Sequence, residues 1–562
     1  EELSKRFRKE YADYVEAYRR HHGRRPAPEE TAAIERHVRF RVVSDLVTRL
    51  GNSLQVPVSL NEKRFHRHFA ELRALPMNVL EDLAPPQVAL YVERGAGVPA
   101  VDLETLALRT YPHGTIASHL LGHLKKELLA EDAELDCDLP ALEFRGELGI
   151  ESAFDEELRG KPGLKSILVN NLNYRHSESV WTQPEPGRNV VLAIDFPIQK
   201  ATEQALRTAG AQVRGAAVVM DCRTGDLYAL ASSPSFDPNQ FVSRITPEEW
   251  AKLNDEKLKP MFNRAVYGAY PPGSIFKTIV GIACLENNVM DPAEVIFNRG
   301  FYAVGRRPID DQAEPGEYDF RRAFKRSSNT YFIHFGLKAG LDPIVEWGHR
   351  FRLGEKTGLV TRQESSGYFP APGQREKKDG TLWFDGDTAN LCIGQGDITV
   401  TPIQMAVMTA ALANGGKILV PRLVLRTEPA DHLETGSRRE FPVQVRGDVR
   451  MSPRTFQILK TSMLADVEDT DGTGHPARVP GMNICGKTGT AQVTQGRRVI
   501  DHITWFVSFA PFENPRYAVV VMVESGGSGG TTCAPIAQRI YQAIQKREQM
   551  APAAKPATVA RR

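Results

Sequence analysis

Cysteine is scarce in this 562-residue chain: six residues, Cys137, Cys222, Cys284, Cys392, Cys485 and Cys533. No two form a Cys-x-x-Cys pair and none clusters with histidine at metal-ligand spacing, so no zinc framework can be read and no metal is predicted. Isolated buried thiols are the expectation, and a Cys392–Cys485 bridge stays open. A charge excess is also lacking. Lys and Arg number 71 against 69 Asp and Glu, a formal net charge of +2. Nothing in that balance attracts a nucleic acid or a strongly acidic partner. Long apolar runs are missing too. The longest, such as Tyr517 to Val523, are strand length, against the ~18 residues a membrane span needs. No signal peptide is readable. The chain begins with Glu1 instead of Met, so the missing anchor says little against membrane attachment.

What is present is the composition of folded domains, 41% hydrophobic and 25% charged, in a chain long enough for two or three of them. Residues 1 to about 50 read as charged helix with a broken apolar stripe of Leu3, Phe7, Tyr11, Tyr14 and Tyr18, ending at the Pro26–Pro28 turn. Residues 60 to 180 mix short helices and strands. Residues 187 to 195 read as a strand entering a new domain, followed by a helix from Pro197 to Ala209. Two strands, Gly215 to Met220 and Asp226 to Ala231, flank a tight turn as a hairpin. A mostly helical stretch runs from 247 to about 415. Strands return at Met482 to Cys485, Thr504 to Phe509 and Tyr517 to Glu524, and a last helix spans Ala534 to Glu548. The tail, Ala551 to Arg562, is predicted to be disordered. This order predicts one sheet assembled from both ends of the second domain around an inserted helical lobe, with a site at their seam.

Three short motifs carry chemistry. In Pro271-Pro272-Gly273-Ser274-Ile275-Phe276-Lys277, turn residues precede an apolar helix. Ser274 lies in its first turn and Lys277 three residues on, on the same face. An amine thus stands beside a hydroxyl, at a helix end able to stabilise an oxyanion. Ser-x-x-Lys occurs once in the chain. The second motif is Ser327-Ser328-Asn329. Ser327 is a proton-relay candidate, and the Asn329 amide a holder of Lys277 and a substrate carbonyl. The third is Lys487-Thr488-Gly489-Thr490. There Gly489 lets a substrate backbone approach an edge strand, and Lys487, Thr488 and Thr490 bind a carboxylate. A decoy, Lys356-Thr357-Gly358, is set aside because no strand is readable around it.

Ser-x-x-Lys, Ser-x-Asn and Lys-Thr-Gly-Thr, in that order, resemble the signature of penicillin-binding proteins. The chain resembles a class B member over roughly residues 60 to 545. Tyr111-Pro112-His113-Gly114 with Ala117, His119, Leu121 and Gly122, then Gly149-Ile150-Glu151 and Leu158-Arg159-Gly160 with Gly163, are similar to the family's pedestal motifs. Ile393-Gly394-Gln395-Gly396, Thr401-Pro402-Ile403-Gln404-Met405, Trp505-Phe506 and Ala510-Pro511 match within the catalytic part. Trp383, Gly386-Asp387-Thr388, Thr490-Ala491-Gln492-Val493 and Asp501-His502 resemble the elongation-type branch, penicillin-binding protein 2. Some relatives carry zinc between the first two motifs, but Asp310 to Tyr318 here holds no His or Cys.

The resemblance implies an α/β (α+β) fold: an antiparallel sheet flanked by helices plus a helical lobe. It places an elongated N-terminal pedestal over 1–180, a transpeptidase domain over 181–548 and a tail over 549–562. It implies acyl transfer between peptidoglycan stem peptides through Ser274, with Lys277 as base, Ser327 relaying a proton, and the Ser274 and Thr490 N–H groups as oxyanion hole. It implies no cofactor, acylation by β-lactams, and an extracytoplasmic catalytic domain at the cell membrane. Its partners would be a SEDS-family membrane glycosyltransferase and elongation-complex scaffold proteins. An unperturbed lysine would be neutral in only about one molecule in 2,500 at pH 7, so the Lys277 pKa has to fall, through burial and the Lys487 charge. A β-lactamase, a D,D-carboxypeptidase and a non-turnover β-lactam sensor or scaffold share these motifs and stay open as alternatives.

Overall fold

The computed structural model describes residues 2–550 apart from 82, 96–100, 105–107, 129–141, 172–174, 211, 243–244, 306, 432–437 and 496–497. Cys137 and the tail from 551 lie outside the described residues. The chain forms two compact units, one of residues 1–108 with 161–185, the other of 109–160 with 186 onward.

In the first unit the charged N-terminal stretch forms two helices, α1 (Glu2–His22) and α2 (Pro28–Leu54). Gly23, at φ +67°, ends the first, and Pro28 starts the second at a position where its missing N–H costs nothing. Val38, Val42, Leu46 and Leu50 recur along the buried face of α2. The unit also holds the helices Glu62–Glu71 and Pro85–Leu90 and the antiparallel hairpin of Leu164–Val169 with Arg175–Thr182.

The second unit holds helix α3 (Phe196–Arg207), strands β1 (Gly215–Asp221) and β2 (Leu227–Ser233), and helix α4 (Lys277–Glu286). Helices α5 (Phe320–Lys325), α6 (Asn329–Ala339), α7 (Pro402–Asn414) and α8 (Pro453–Glu468) follow. Strands β3 (Cys485–Gln495), β4 (Arg498–Ala510) and β5 (Tyr517–Glu524) and helix α9 (Ala534–Met550) close it. The expected sheet from both ends is present: five strands in the order β3-β4-β5-β1-β2, all antiparallel. Val219 of β1 pairs with Val519 of β5.

Both faces of this sheet are covered, so its middle strands are apolar throughout instead of alternating. On β5, Ala518, Val520 and Met522 join the larger core with Val218 and helices α4 and α7. Val519, Val521 and Val523 point the other way, to Ile198 and Leu206 of α3 and Ile536, Ile540 and Ile544 of α9.

Two expectations need correction. The strand read at Met482 to Cys485 begins only at Cys485 and continues through the Lys-Thr-Gly-Thr motif. Pairing with β4 along its length overrides the low strand propensity of its glycines and polar residues. The helical lobe also contains two small hairpins, Ile296–Asn298 with Gly316–Tyr318 and Phe301–Val304 with Arg307–Asp310. Cys222, Cys284, Cys392, Cys485 and Cys533 are free, buried thiols, so no Cys392–Cys485 bridge forms. Among the described residues no helix is long and apolar enough to cross a membrane.

Candidate active site

The three motifs meet where the lobe abuts β3. Ser274 lies in a 3-10 turn, Gly273–Phe276, which passes directly into α4. The sequence reads as α-helix from the serine onward; the tighter turn has a geometric consequence. Side chains three apart eclipse in a 3-10 helix, which sets Ser274 and Lys277 on one line.

Backbone packing fixes that turn from both sides. Gly273 adopts φ +57°, and a Cβ there would stand 2.8 Å from the Thr490 carbonyl carbon and oxygen. On the other side the Gly273 N–H donates to the Gly394 carbonyl at 2.9 Å. A Cβ on Gly394, at φ +69°, would stand 2.1 Å from the Gly273 oxygen. The Trp505 indole Nε1 donates to the Pro271 carbonyl at 3.0 Å. A Cβ on Gly489 would meet Ile275 Cγ2 and the Pro272 oxygen, both at 2.9 Å, so its missing side chain admits the serine turn.

Lys277 is fully buried. Its Nζ donates to the Ser327 carbonyl at 2.7 Å, to Asn329 Oδ1 at 2.7 Å and, longer, to Ser327 Oγ at 3.4 Å. Among the described residues no hydrogen bond reaches Ser274 Oγ, so the hydroxyl is held by its backbone alone. Burial and then the Lys487 charge bring the Lys277 pKa down to about 7, with Asp311 opposing them. Lys487, also fully buried, is brought down by burial to about 8, against the pull of Asp466. The rings of Phe332 and Phe324 lie 5.8 and 5.5 Å from the two ammonium groups.

Ser327 stands between α5 and α6 at φ +56°, a left-handed conformation that only local bonding sustains. Its N–H donates to the Phe324 carbonyl, and the Ser328 N–H to that of Ala323. Ser328 then caps α6 and donates its hydroxyl to Asp311 Oδ2 at 2.7 Å, which also accepts the Thr330 N–H at 2.8 Å. Burial pushes the Asp311 carboxyl up, but Lys277 and these donors outweigh it and hold the group below its ordinary range. On β3, the Thr490 hydroxyl accepts the Gly529 N–H at 3.2 Å, and the Thr488 hydroxyl lies 2.6 Å from that of Thr473.

All eight motif residues therefore gather around one turn. Sequence reading passed over Asp311, Asp466 and Thr473, which support them; each is a lone polar residue in a polar stretch, with no spacing to mark it. The decoy is a different device. The Thr357 hydroxyl and N–H and the Gly358 and Leu359 N–H groups all donate to the buried Glu364 carboxylate, closing a loop. His502 sits on β4 opposite Gln492. Among the described residues no group of His, Cys, Asp and Glu could hold a metal ion.

Residues 215–542 match the penicillin binding protein transpeptidase domain, and residues 28–192 the penicillin-binding protein dimerisation domain. The chain is 31% identical over 477 residues to the peptidoglycan D,D-transpeptidase MrdA of Acinetobacter baumannii, spanning 82% of this chain and 69% of that one. Its structure is similar to Pseudomonas aeruginosa PBP2 in complex with WCK 5153, with TM-score 0.64 and 32% identity over 80% of this chain and 93% of the other. Helicobacter pylori PBP2 in complex with MreC gives TM-score 0.72 and 25% identity over 91% and 92%.

Proposed function

The chain belongs to the class B penicillin-binding proteins, of the penicillin-binding protein 2 type, and from that premise we propose that it cross-links peptidoglycan stem peptides as a D,D-transpeptidase in cell elongation, with Ser274 as nucleophile. The observation that carries this reading is the buried Lys277, one 3-10 turn from Ser274 and bonded to Ser327 and Asn329.

Near its pKa of about 7, Lys277 is neutral in roughly half the molecules at neutral pH instead of about one in 2,500. The neutral amine takes the Ser274 hydroxyl proton as Oγ bonds to the carbonyl carbon between two terminal D-alanines. Oxyanion charge falls on the N–H groups of Ser274 and Thr490, whose backbones the Gly273 contact holds together. The C–N bond breaks, and Ser327 passes the Lys277 proton to the departing D-alanine amine. An amine from a neighbouring stem then attacks the acyl-enzyme, its proton returns through Lys277, and Ser274 is released. Asn329 orients Lys277 and the substrate carbonyl. Lys487, Thr488 and Thr490 receive the terminal carboxylate. The substrate strand lies along β3, an edge strand of the sheet.

β-Lactams acylate the same serine. The first unit serves as the pedestal that docks a scaffold partner, as the H. pylori relative is seen with MreC, and a SEDS-family glycosyltransferase. The catalytic unit works on the outer side of the cell membrane.

The test is labelling with a fluorescent penicillin and mapping of the adduct by mass spectrometry, beside Ser274→Ala. A stable adduct on Ser274, absent from the variant, and transfer of a donor peptide to an added amine are expected. Rapid penicillin hydrolysis without an adduct, or peptide release only to water, would replace transpeptidation with the lactamase or carboxypeptidase reading.

A further inference from the structure

Behind the Lys-Thr-Gly-Thr strand lies a carboxylate for which the mechanism above has no use. Asp466, near the end of α8, is fully buried. Its Oδ1 is 2.8 Å from the Thr473 hydroxyl and accepts the Gly474 N–H at 3.2 Å. Among the described residues its Oδ2 has no hydrogen-bond partner. The Thr473 hydroxyl is in turn 2.6 Å from that of Thr488. Asp466, Thr473 and Thr488 thus form an unbranched chain from the interior to the site.

The proton count along this chain allows two arrangements. Thr473 has one proton and two polar neighbours. If Asp466 is ionised it can only accept, so Thr473 donates to it and Thr488 donates to Thr473. Thr488 then shows only lone pairs to the site, which repel a carboxylate. If Asp466 carries a proton on Oδ1, the oxygen that faces Thr473, it donates to Thr473, Thr473 to Thr488, and Thr488 donates outward; a proton on Oδ2 leaves the first arrangement in place. We propose that Asp466 is a positioning residue for carboxylate recognition: in its acid form it turns the Thr488 hydroxyl towards the carboxylate of substrate or β-lactam, which pairs with Lys487. This rests on the reading above that Thr488 and Lys487 meet that carboxylate.

The surroundings agree. Burial pushes the Asp466 carboxyl up, opposed first by Lys487. The other charged groups nearby are spoken for. Lys325, from α5, pairs with Asp469 and Asp471 at 2.9 and 2.8 Å, and the His475 ring bonds the Val467 carbonyl. Gly474 leaves room for Oδ2, since a Cβ there would stand 2.7 Å from it. Among the described residues no donor is placed to stabilise a charge on that oxygen, so the neutral acid is the form the pocket suits.

The experiment measures the acylation rate constant of the whole chain with a penicillin and with its carboxylate methyl ester, across the pH range in which the chain stays folded. The ratio of the two rates reads carboxylate recognition and cancels the Lys277 titration. In the wild type the ratio falls with rising pH in two limbs, one from Asp466 and one from Lys487. Asp466→Asn, whose amide does not titrate, loses one of these limbs. Thr473→Val cuts the chain and flattens the same limb, which in the wild type is about tenfold deep, and Thr473→Ser restores it. Circular dichroism melting accompanies each variant. Both limbs surviving in Asp466→Asn or in Thr473→Val, or a single limb in the wild type, would each overturn the proposal. Failure of Ser274 to label with either compound would instead strike the functional reading itself.

Discussion

Ser327 shows how a single residue can be placed for chemistry against its own backbone preference. At φ +56° glycine would be the low-energy choice, yet the position carries a hydroxyl beside Lys277. Ser327→Gly is therefore expected to leave the melting temperature unchanged or raised, by up to about 1 kcal/mol of relieved strain, while acylation slows by roughly 10²-fold or more. A lower melting temperature with full acylation would sink this account. Lys487 makes a second case. Lys487→Met removes a positive charge that helps lower the Lys277 pKa. Lys277 then holds its proton to higher pH, and the neutral base appears later. The midpoint of ester acylation, which rises with pH through about 7 in the wild type, is expected to move to more alkaline values. A midpoint that stays or moves acid would show that Lys487 does not act on Lys277. At this scale the motif residues were legible because their spacing is itself the chemistry. Asp466 and Thr473 were not, since a buried carboxylate seven residues from a threonine has no pattern until α8 and the following loop fold back on β3.

Among elements, the serine turn is wedged by glycines. Gly394, Gly273 and the Thr490 peptide stack backbone on backbone, a spacing no side chain permits. Gly394→Ala is expected to cost about 1–3 kcal/mol of stability, since overpacking here displaces main chain, and to slow acylation more than the melting shift alone explains. Unchanged acylation would show that the turn does not depend on this wedge. The elements themselves were legible to unequal degrees. β5 reads directly, because burial on both faces leaves an unbroken apolar run from Tyr517 to Val523. β3 does not, because the residues that make it useful, Gly486 to Thr490, are poor strand formers held by β4. The small hairpins of the lobe are too short to leave a period.

For the whole molecule, the boundary between units does not follow the order of the chain. Residues 109–160 lie within the span matched to the dimerisation domain but pack with the catalytic unit. The Tyr111 hydroxyl donates to Glu151 at 3.0 Å, and Asn239 bonds the Tyr111 backbone in both directions. Leu120, Ile150 and Phe154 belong to the main core, with the Phe154 ring 5.7 Å from that of Phe441. Phe154→Ala is accordingly expected to cost about 3–5 kcal/mol and to lower the temperature at which the chain ceases to label with penicillin. A shift only in signals from the first unit would contradict this placement.

The pairing of Val219 with Val519 also sets a timetable for synthesis. The hairpin of β1 and β2 and the nucleophile's helix leave the ribosome long before β3, β4 and β5 exist. Until then an apolar strand edge waits open. The turn bearing Ser274 meanwhile lacks the Thr490 peptide that steadies it. A nascent or prematurely ended chain thus carries the serine without the Thr490 N–H proposed to complete its oxyanion hole, and on that reading competence to react with a β-lactam waits until β3 is paired into the sheet.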